Sequence, residues 1–227
     1  MKAGNATYRE AADLPAVIPV FPLSAALLLP RSEMPLNIFE PRYLAMIDAA
    51  LAGDRVIGMV QPDMAVPAGL SGPGLFAVGC AGRLTSFAES GDDRYLVTLT
   101  GIARFRIIEE IHTDRPFRQC RVTAEPFAED LAGCAGEALV DRKSVLKTFR
   151  AYLAAHDLDA DWSSVDRASN ETLVNTLAMM APFGVAEKQA LLEAPDLRAR
   201  AETLIALTEM TLTRESGPAG DGHTTLQ

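Results

Sequence analysis

The hydrophobic pattern of the chain changes its period near residue 126, and this change limits the folds that the chain can adopt. Between residues 55 and 125, short apolar runs typical of strands are separated by glycine bends and by polar turns such as 90–93. After Pro126 the apolar residues recur at helical spacing. Short strands with glycine bends favour a sandwich or a partly closed barrel over alternating strand–helix units. We therefore expect an α+β protein with a β-rich half followed by a helical half.

The first half is expected to contain several short strands and one helix. The run 16–23 is apolar but contains Pro19 and Pro22, which favours a sheet edge or a bulged strand. A helix is predicted to begin at Pro41 and to end near Gly53. The further strands are predicted at 56–60, in two pieces within 76–87, at 95–99, at 103–108 beyond a bend at Gly101, and at 120–124. The Pro/Gly-rich stretch 62–74 is predicted to be a loop.

The second half is expected to be a bundle of helices. They are predicted at 137–155, 171–180, 185–194 and 197–212, with a linker at 156–168. Asp196 is placed to cap the last of them. The expected organisation is thus a flexible segment 1–15, a β-rich subdomain 16–126, a helical subdomain 127–213 and a disordered tail 214–227.

Charge and cysteine content disfavour several functional classes. The chain has 30 acidic and 21 basic residues, a net charge of −9, which disfavours binding to nucleic acid or to anionic membranes. Its three cysteines are an odd number without CxxC spacing, which argues against a disulfide-stapled secreted domain and against a four-cysteine zinc site. The N-terminal residues lack the apolar core of a secretory signal. No apolar run reaches the roughly 20 residues that cross a bilayer. We expect a cytoplasmic protein without a metal or cofactor, in which the cysteines are small buried side chains.

Three stretches of the chain resemble the Lon N-terminal domain family. The first contains Phe21-Pro22-Leu23 and then Pro35-Leu36-Asn37-Ile38-Phe39-Glu40-Pro41-Arg42-Tyr43, the string that enters the first helix in that family. The segment 79–105 resembles the family's strand, acidic turn, strand and G-x-x-R-F pattern, and 177–192 resembles its late helical segment. The resemblance extends over roughly residues 16–213. It implies a PUA-like pseudo-barrel followed by a helical bundle.

The resemblance also implies a function in substrate recognition. In Lon protease this domain precedes the motor and the peptidase and helps to recognise substrate proteins. The chain has no G-x-x-x-x-G-K-[ST] loop for ATP and no residues left for a domain with the Ser–Lys dyad. We therefore expect a stand-alone, non-catalytic module that binds unfolded or tagged proteins and serves as an adaptor in ATP-dependent proteolysis, with a protease as a second partner.

Candidate binding residues lie in the signature, in the loop and in one strand. Those expected to contact a peptide are Phe39, Arg42, Tyr43, Met64, Val66, Leu70, Leu75 and Arg104. The signature residues Pro35, Leu36, Ile38, Phe39, Glu40, Pro41, Arg42 and Tyr43 also have a structural interpretation, as a helix start with Pro41 at its first position. Arg104 and Arg106 alternate with Phe105 and Ile107, which predicts that both arginines face solvent or a cleft.

Other functional classes remain open at this point. The fold could bind a small molecule or act as an enzyme, since fold alone does not determine function, or it could bind RNA as a PUA-like module. Ser144-x-x-Lys147 matches a nucleophile motif, and Gly72-x-Gly74-x-x-Ala77 matches a dinucleotide motif. Each lacks its companion elements, so we interpret both matches as coincidental.

Overall fold

The computed structural model describes residues 1–68, 72–133 and 136–216 of the chain. Its strands are β1 (Lys2–Ala3), β2 (Ala6–Thr7), β3 (Val17–Pro22), β4 (Glu33–Ile38), β5 (Val56–Val60), β6 (Val78–Glu89), β7 (Tyr95–Ile111) and β8 (Gln119–Thr123). Its α-helices are α1 (Pro41–Leu51), α2 (Arg142–Ala155), α3 (Trp162–Arg167), α4 (Asn170–Met180), α5 (Val185–Glu193) and α6 (Leu197–Ser216). Short 3₁₀ segments lie at Ala11–Asp13, Glu125–Leu131 and Glu137–Leu139.

The long strand β7 closes the sheet into a barrel. Along one edge it pairs antiparallel with β6. Along the other edge its first half pairs with β4 and its second half with β8. Strand β8 pairs with β3, β3 pairs in parallel with β5, and β5 pairs with β6, which completes the ring. The predicted α+β architecture, a β-rich pseudo-barrel followed by helices, is confirmed.

Strand β3 is not the simple edge strand that its prolines predict. Its first half (17–19) pairs with β8 and its second half (20–22) pairs with β5. Apart from Val20, whose amide donates to the Arg118 carbonyl at 3.0 Å, each half therefore has a ladder on one side only. Because a proline has no N–H to donate, Pro19 and Pro22 are tolerated where one side of the strand is unpaired.

Strands β6 and β7 are continuous through the glycines at which breaks were predicted. The register between them shifts at Ala81/Gly82, and Gly82 pairs with Gly101. A Cβ on Gly101 would lie 2.1 Å from the carbonyl oxygen of Leu29. Gly101 thus does not end the strand; beside the register shift, it allows the backbone at Leu29 to cross the strand in contact with it.

The two ends of the chain differ from the expectation of flexible segments. Strands β1 and β2 form a small hairpin, and Ala3 and Tyr8 beside it are buried. Helix α6 continues to Ser216, past the predicted end of the last helix. The rest of the predicted disordered tail, 217–227, lies outside the described residues.

The helical half contains more breaks than its apolar pattern predicts. The predicted helix 137–155 is divided into a 3₁₀ turn and helix α2, which Asp141 caps by accepting from the Ser144 amide at 3.2 Å. The predicted linker contains helix α3, capped by Asp161. Helix α6 begins with the predicted Asp196 cap, which accepts from the Ala199 amide at 2.8 Å. No helix in the described ranges combines the length and hydropathy needed to cross a membrane.

The β-rich and helical halves share one hydrophobic core and are joined by buried polar groups. The larger core cluster contains Leu28 and Leu99 from the first half together with Leu191 and Leu204 from the second. Gln61 accepts from the Ala25 amide and donates to the carbonyl of Val185 and to Gln189, which itself donates to the carbonyl of Val78. These contacts fix helix α5 against the barrel and the loop that follows β5.

Candidate functional site

The signature string forms the start of helix α1 and supports it from within the core. Pro41 occupies the first helical position, and Ile38 and Tyr43 are buried. The Tyr43 ring packs on the Phe21 ring with a centroid distance of 4.3 Å. The Arg42 guanidinium lies over the Tyr43 ring, 4.4 Å from its centroid. Burial raises the pKa of the Tyr43 hydroxyl, so this side chain stays neutral.

A cleft of about 220 Å³ opens beside this helix start. Four chain segments line it: strand β3 and the residues after it, helix α1, the 62–74 loop, and the turn before β8. The lining residues are Val20, Pro22, Ser24, Arg42, Tyr43, Pro62, Pro73, Pro116, Phe117 and Arg118. We call this set the proline cleft, because four of its residues are prolines.

The loop that follows β5 is tied together at its base. Pro62 forms a bridge with Leu75, and the Asp63 amide donates to the Gly74 carbonyl at 2.8 Å. Val66 packs on Gly74 so closely that a Cβ there would lie 2.4 Å from the Cβ of Val66. Met64 projects from this base and is 85% exposed. Leu70, a predicted contact residue, lies outside the described residues.

The two arginines of the proline cleft already have acidic partners. Arg118 donates to both carboxylate oxygens of Glu110, at 2.7 and 2.6 Å, and to the Pro73 carbonyl at 2.8 Å. Arg42 donates to Glu40 at 2.8 and 3.1 Å, and both of these side chains are exposed. The cleft is therefore lined by prolines and by two largely buried aromatic side chains, with its cationic groups neutralised by neighbours.

The prediction that Arg104 faces solvent or a cleft is wrong. The side chain is 4% exposed and forms a bidentate pair with Asp130, with two N···O distances of 2.8 Å. Its remaining donors reach the carbonyls of Leu192 and Ala194, at 3.2 and 2.6 Å. All of these contacts are internal, so Arg104 holds strand β7 to the end of helix α5 and is not available to a peptide. Arg106, by contrast, is exposed as predicted.

The structure brings only some of the predicted contact residues together. Arg42 and Tyr43 line the proline cleft. Phe39 is 60% exposed outside it, beneath the guanidinium of Arg94 at 5.8 Å. Leu75 is half-buried against the barrel core. Met64 and Val66 lie in the loop that contributes Pro62 and Pro73 to the cleft.

The sequence did not indicate one of the four segments that line the cleft, Pro116–Arg118. A Pro-Phe-Arg string just before a short strand carries a weak local signal, and the pairing of β8 with β3 brings it to the cleft that helix α1 also lines. The coincidental motifs have local roles. Ser144 donates to the capping residue Asp141 at 2.7 Å, and Gly72–Gly74 precedes strand β6 instead of a helix.

Comparison with known proteins gives one consistent family. The model of the ATP-dependent protease La (LON) substrate-binding domain matches residues 17–209. "Lon protease 2" of Myxococcus xanthus is 26% identical over 196 residues, 86% of this chain and 24% of that protein. "Lon protease" of Syntrophus aciditrophicus is 28% identical over 209 residues, 88% of this chain and 25% of that protein. The chain thus spans about a quarter of the length of these curated relatives.

Solved structures agree on the fold. The N-terminal domain of the Mycobacterium avium complex Lon protease superposes with a TM-score of 0.62 at 21% identity, covering 85% of this chain and 98% of that one. The Lon N-terminal domain protein from Xanthomonas campestris gives a TM-score of 0.56 at 22% identity, covering 84% of this chain and 97% of that one. The fold, the signature at the start of helix α1 and the match over residues 17–209 lead to one conclusion: the chain belongs to the Lon substrate-binding domain family.

Proposed function

We propose that this chain binds exposed apolar segments of unfolded or tagged proteins in the proline cleft, without catalysis of its own. The observation that carries the proposal is the composition of the cleft: four prolines with Tyr43 and Phe117, at the signature of a family described as substrate-binding.

The chemistry of these residues suits bound polypeptide segments of varied sequence. Proline has no backbone N–H and loses no side-chain rotamer freedom on binding, so Pro73 and Pro116 form a rigid apolar wall. Tyr43 and Phe117, both largely buried, complete this apolar wall. Since Arg42 and Arg118 are paired with Glu40 and Glu110, the cleft imposes no strong requirement for a charged ligand.

The surroundings extend the apolar area beyond the cleft itself. Met64 and Phe39 are exposed large apolar side chains in the two segments that flank it. A flexible methionine can adapt to different partners. We expect these two residues to contact the parts of a bound segment that leave the cleft.

A labelled, permanently unfolded protein is the direct probe of this function. Its fluorescence anisotropy is titrated with this chain, in parallel with its folded counterpart. We expect saturable binding of the unfolded form alone, with Kd roughly 1–100 µM, that is about −8 to −5.5 kcal/mol. Absence of binding to the unfolded form contradicts the proposal.

The place of binding is tested by blocking the cleft. Ser24 is exposed and lines it, so Ser24→Trp puts an indole into a space of about 220 Å³. We expect Ser24→Trp to weaken binding at least tenfold. Ser86→Trp, at an exposed position of β6, is the matched control and keeps the wild-type affinity. Equal affinity of both variants excludes the proline cleft as the site.

We further propose that the bound segment is delivered to an ATP-dependent protease, so that the chain acts as an adaptor. The Lon relatives support this, because they carry a homologous domain within a protease. The test is the degradation rate of the unfolded protein by a purified Lon protease with and without this chain. Acceleration supports the adaptor role, and slower degradation through sequestration contradicts it while leaving the binding proposal intact.

A further inference from the structure

Three strands continue past the point where β5 ends its pairing with β6, and they leave two open edges. Residues 33–38 of β4 and 84–89 of β6 lie on either side of residues 95–100 of β7. Strand β5 pairs with β6 only as far as Arg83, so 85–89 has no strand on its other side within the described ranges. The backbone groups that point away from β7 along this edge can therefore pair with a further strand.

The edge of β6 lacks the features that block the edge of β4. Strand β4 has Pro35 near its middle, and proline has no N–H to donate to a neighbouring strand. Residues 85–89 of β6 are all exposed and include neither proline nor lysine, which commonly prevent edge pairing. The register shift at Leu84/Ser86 disturbs this stretch only at its beginning. The β6 edge is therefore the one suited to strand addition.

Apolar side chains accompany the open backbone on both faces of this extension. Phe87 packs on Tyr95 with a centroid distance of 5.0 Å but remains 38% exposed. Leu96 lies opposite Ala88 in the ladder and is 48% exposed. Because side chains alternate along a strand, Phe87 and Ala88 lie on opposite faces. A strand added at this edge would cover apolar area on each face.

The two ends of the β6 edge carry opposite charge. At the first end the Leu84 amide donates to the Arg55 carbonyl and Arg83 donates to the Asp54 carbonyl, both at 2.8 Å, so two guanidinium groups accompany one carboxylate. The other end has three carboxylates and one guanidinium, those of Glu89, Asp92, Asp93 and Arg94. The exposed side chains of Arg55 and Glu89 form no ion pair within the described ranges. An antiparallel strand of the same sequence places opposite charges together at both ends.

We propose that residues 84–89 of β6 pair antiparallel with the same segment of a second copy of this chain. A two-fold axis then joins the two sheets into one, with the basic end of each edge against the acidic end of the other. The two Phe87 side chains lie near this axis. Because the paired segment is short, the dimer belongs to the weak, transient class of interfaces. The proline cleft contains no residue of this edge, so the proposal is independent of the peptide-binding function.

Sedimentation velocity of the full chain over the micromolar range tests for the dimer. Each copy has a net charge of −9, so the measurement is made at about 0.15 M salt, where repulsion beyond about 8 Å is largely screened. We expect the sedimentation coefficient to rise with concentration toward that of a dimer. A chain that remains monomeric up to about 1 mM overturns the proposal.

Charge reversal at the two ends identifies the symmetric pairing. A dimer of Arg55→Glu, or of Glu89→Lys, has like charges together at both ends, so each variant alone should dimerise at least tenfold more weakly. A mixture of the two variants restores opposite charges at both ends and should recover an affinity close to that of the wild type. Glu209→Lys, at an exposed position of α6, changes the net charge as Glu89→Lys does and should dimerise at least as strongly as the wild type. Unchanged dimerisation of both edge variants, or a mixture no stronger than either alone, overturns the proposal.

Amide hydrogen exchange locates the pairing and separates it from strand addition by an unfolded polypeptide. Where the dimer predominates, amides within 85–89 should exchange more slowly than in the dilute monomer, whereas those of 33–38 in β4 should not change. Protection confined to another part of the chain overturns the proposal. Protection of 85–89 that requires the unfolded probe protein also overturns it, because the occupant of the edge is then not a second copy.

Discussion

Arg104 and Asp130 form a bidentate ion pair inside the protein, with the Nε and Nη2 atoms of the guanidinium each 2.8 Å from a carboxylate oxygen. The Arg104 amide also donates to this carboxylate, at 2.9 Å. The pair joins strand β7 to the 3₁₀ segment Glu125–Leu131, and the same guanidinium binds the last carbonyls of helix α5. One arginine therefore connects the barrel, the segment after it and the helical half.

Removal of the acidic partner is expected to leave a buried charge without compensation. Asp130→Ala should lower the free energy of unfolding by about 3–5 kcal/mol, measured by urea denaturation. The control is Glu202→Ala, which breaks the exposed Arg198–Glu202 pair and should cost no more than about 0.5 kcal/mol. Similar losses in the two variants contradict the structural role of the buried pair.

Gly101 is expected to tolerate no side chain. A Cβ there would lie 2.1 Å from the carbonyl oxygen and 2.8 Å from the carbonyl carbon of Leu29, so Gly101→Ala must displace one of two backbones. We expect a loss of about 1–3 kcal/mol or more in the free energy of unfolding. Gly133→Ala is the matched control, since a Cβ at that position would have nothing within 4 Å, and it should be neutral or stabilising by about 0.4–1 kcal/mol. The thermal midpoints of the two variants should therefore move in different directions or by clearly different amounts.

Lys188 is expected to make stability depend on pH in the alkaline range. Its side chain is buried and donates to the carbonyls of Ala178 and Met179, at 2.8 and 2.7 Å, and burial lowers its pKa from 10.5 to about 8. Between those two values the unfolded chain binds more protons at this site than the folded chain, so the contribution of Lys188 to stability increases as the pH rises from about 8 to 10.5.

The comparison with Lys188→Met isolates this effect from other titrating groups. The difference in unfolding free energy between wild type and Lys188→Met should grow in favour of the wild type over that pH range and stay constant below it. A difference that does not change with pH would mean that the pKa of Lys188 is not lowered by burial.

Cys80 and Cys120 are expected to resist alkylation in the native protein. Both thiols are buried, and burial raises the pKa of Cys80 strongly and that of Cys120 to about 12, so neither forms the reactive thiolate at neutral pH. The experiment uses a Cys134→Ser background, so that only these two thiols are counted. Labelling with iodoacetamide at a mildly alkaline pH should be absent until denaturant is added, and labelling of the folded protein would contradict the buried placement.

Phe39 is expected to contribute to peptide binding without contributing to stability. Its ring is 60% exposed, so Phe39→Ser removes apolar contact area for a ligand and little packing. We expect affinity for the unfolded probe protein to fall by three- to tenfold, about 0.7–1.4 kcal/mol, at an unchanged thermal midpoint. Leu139→Ser, which alters a similarly exposed side chain in the helical half, should retain full affinity. Equal affinities for the two variants argue against a contact at Phe39.

Local signals in the sequence were sufficient for the bounds of helix α1 and for the start of helix α6. Pro41 at a first helical position and Gly53 after the last turn predicted helix α1, and Asp196 predicted the start of α6. These signals act through the backbone within a few residues, so a single segment contains all the information that they need. The change from strand to helical period near Pro126 predicted the order of the two halves for the same reason.

Other features depended on residues far away in the chain. The alternation along β7 correctly separates Arg104 from Phe105, but it cannot show that the 3₁₀ segment and helix α5 cover the outer face of the strand at Arg104. Gly101 predicted a bend, but the sequence could not show that its missing side chain admits the backbone at Leu29. The proline cleft joins Pro22, Pro62, Pro73 and Pro116 from four segments. The sequence by itself therefore determined the elements and the family signature, whereas burial of charge, close backbone contact and the composition of the cleft were decided by tertiary structure, because each depends on which distant segments closure of the barrel brings together.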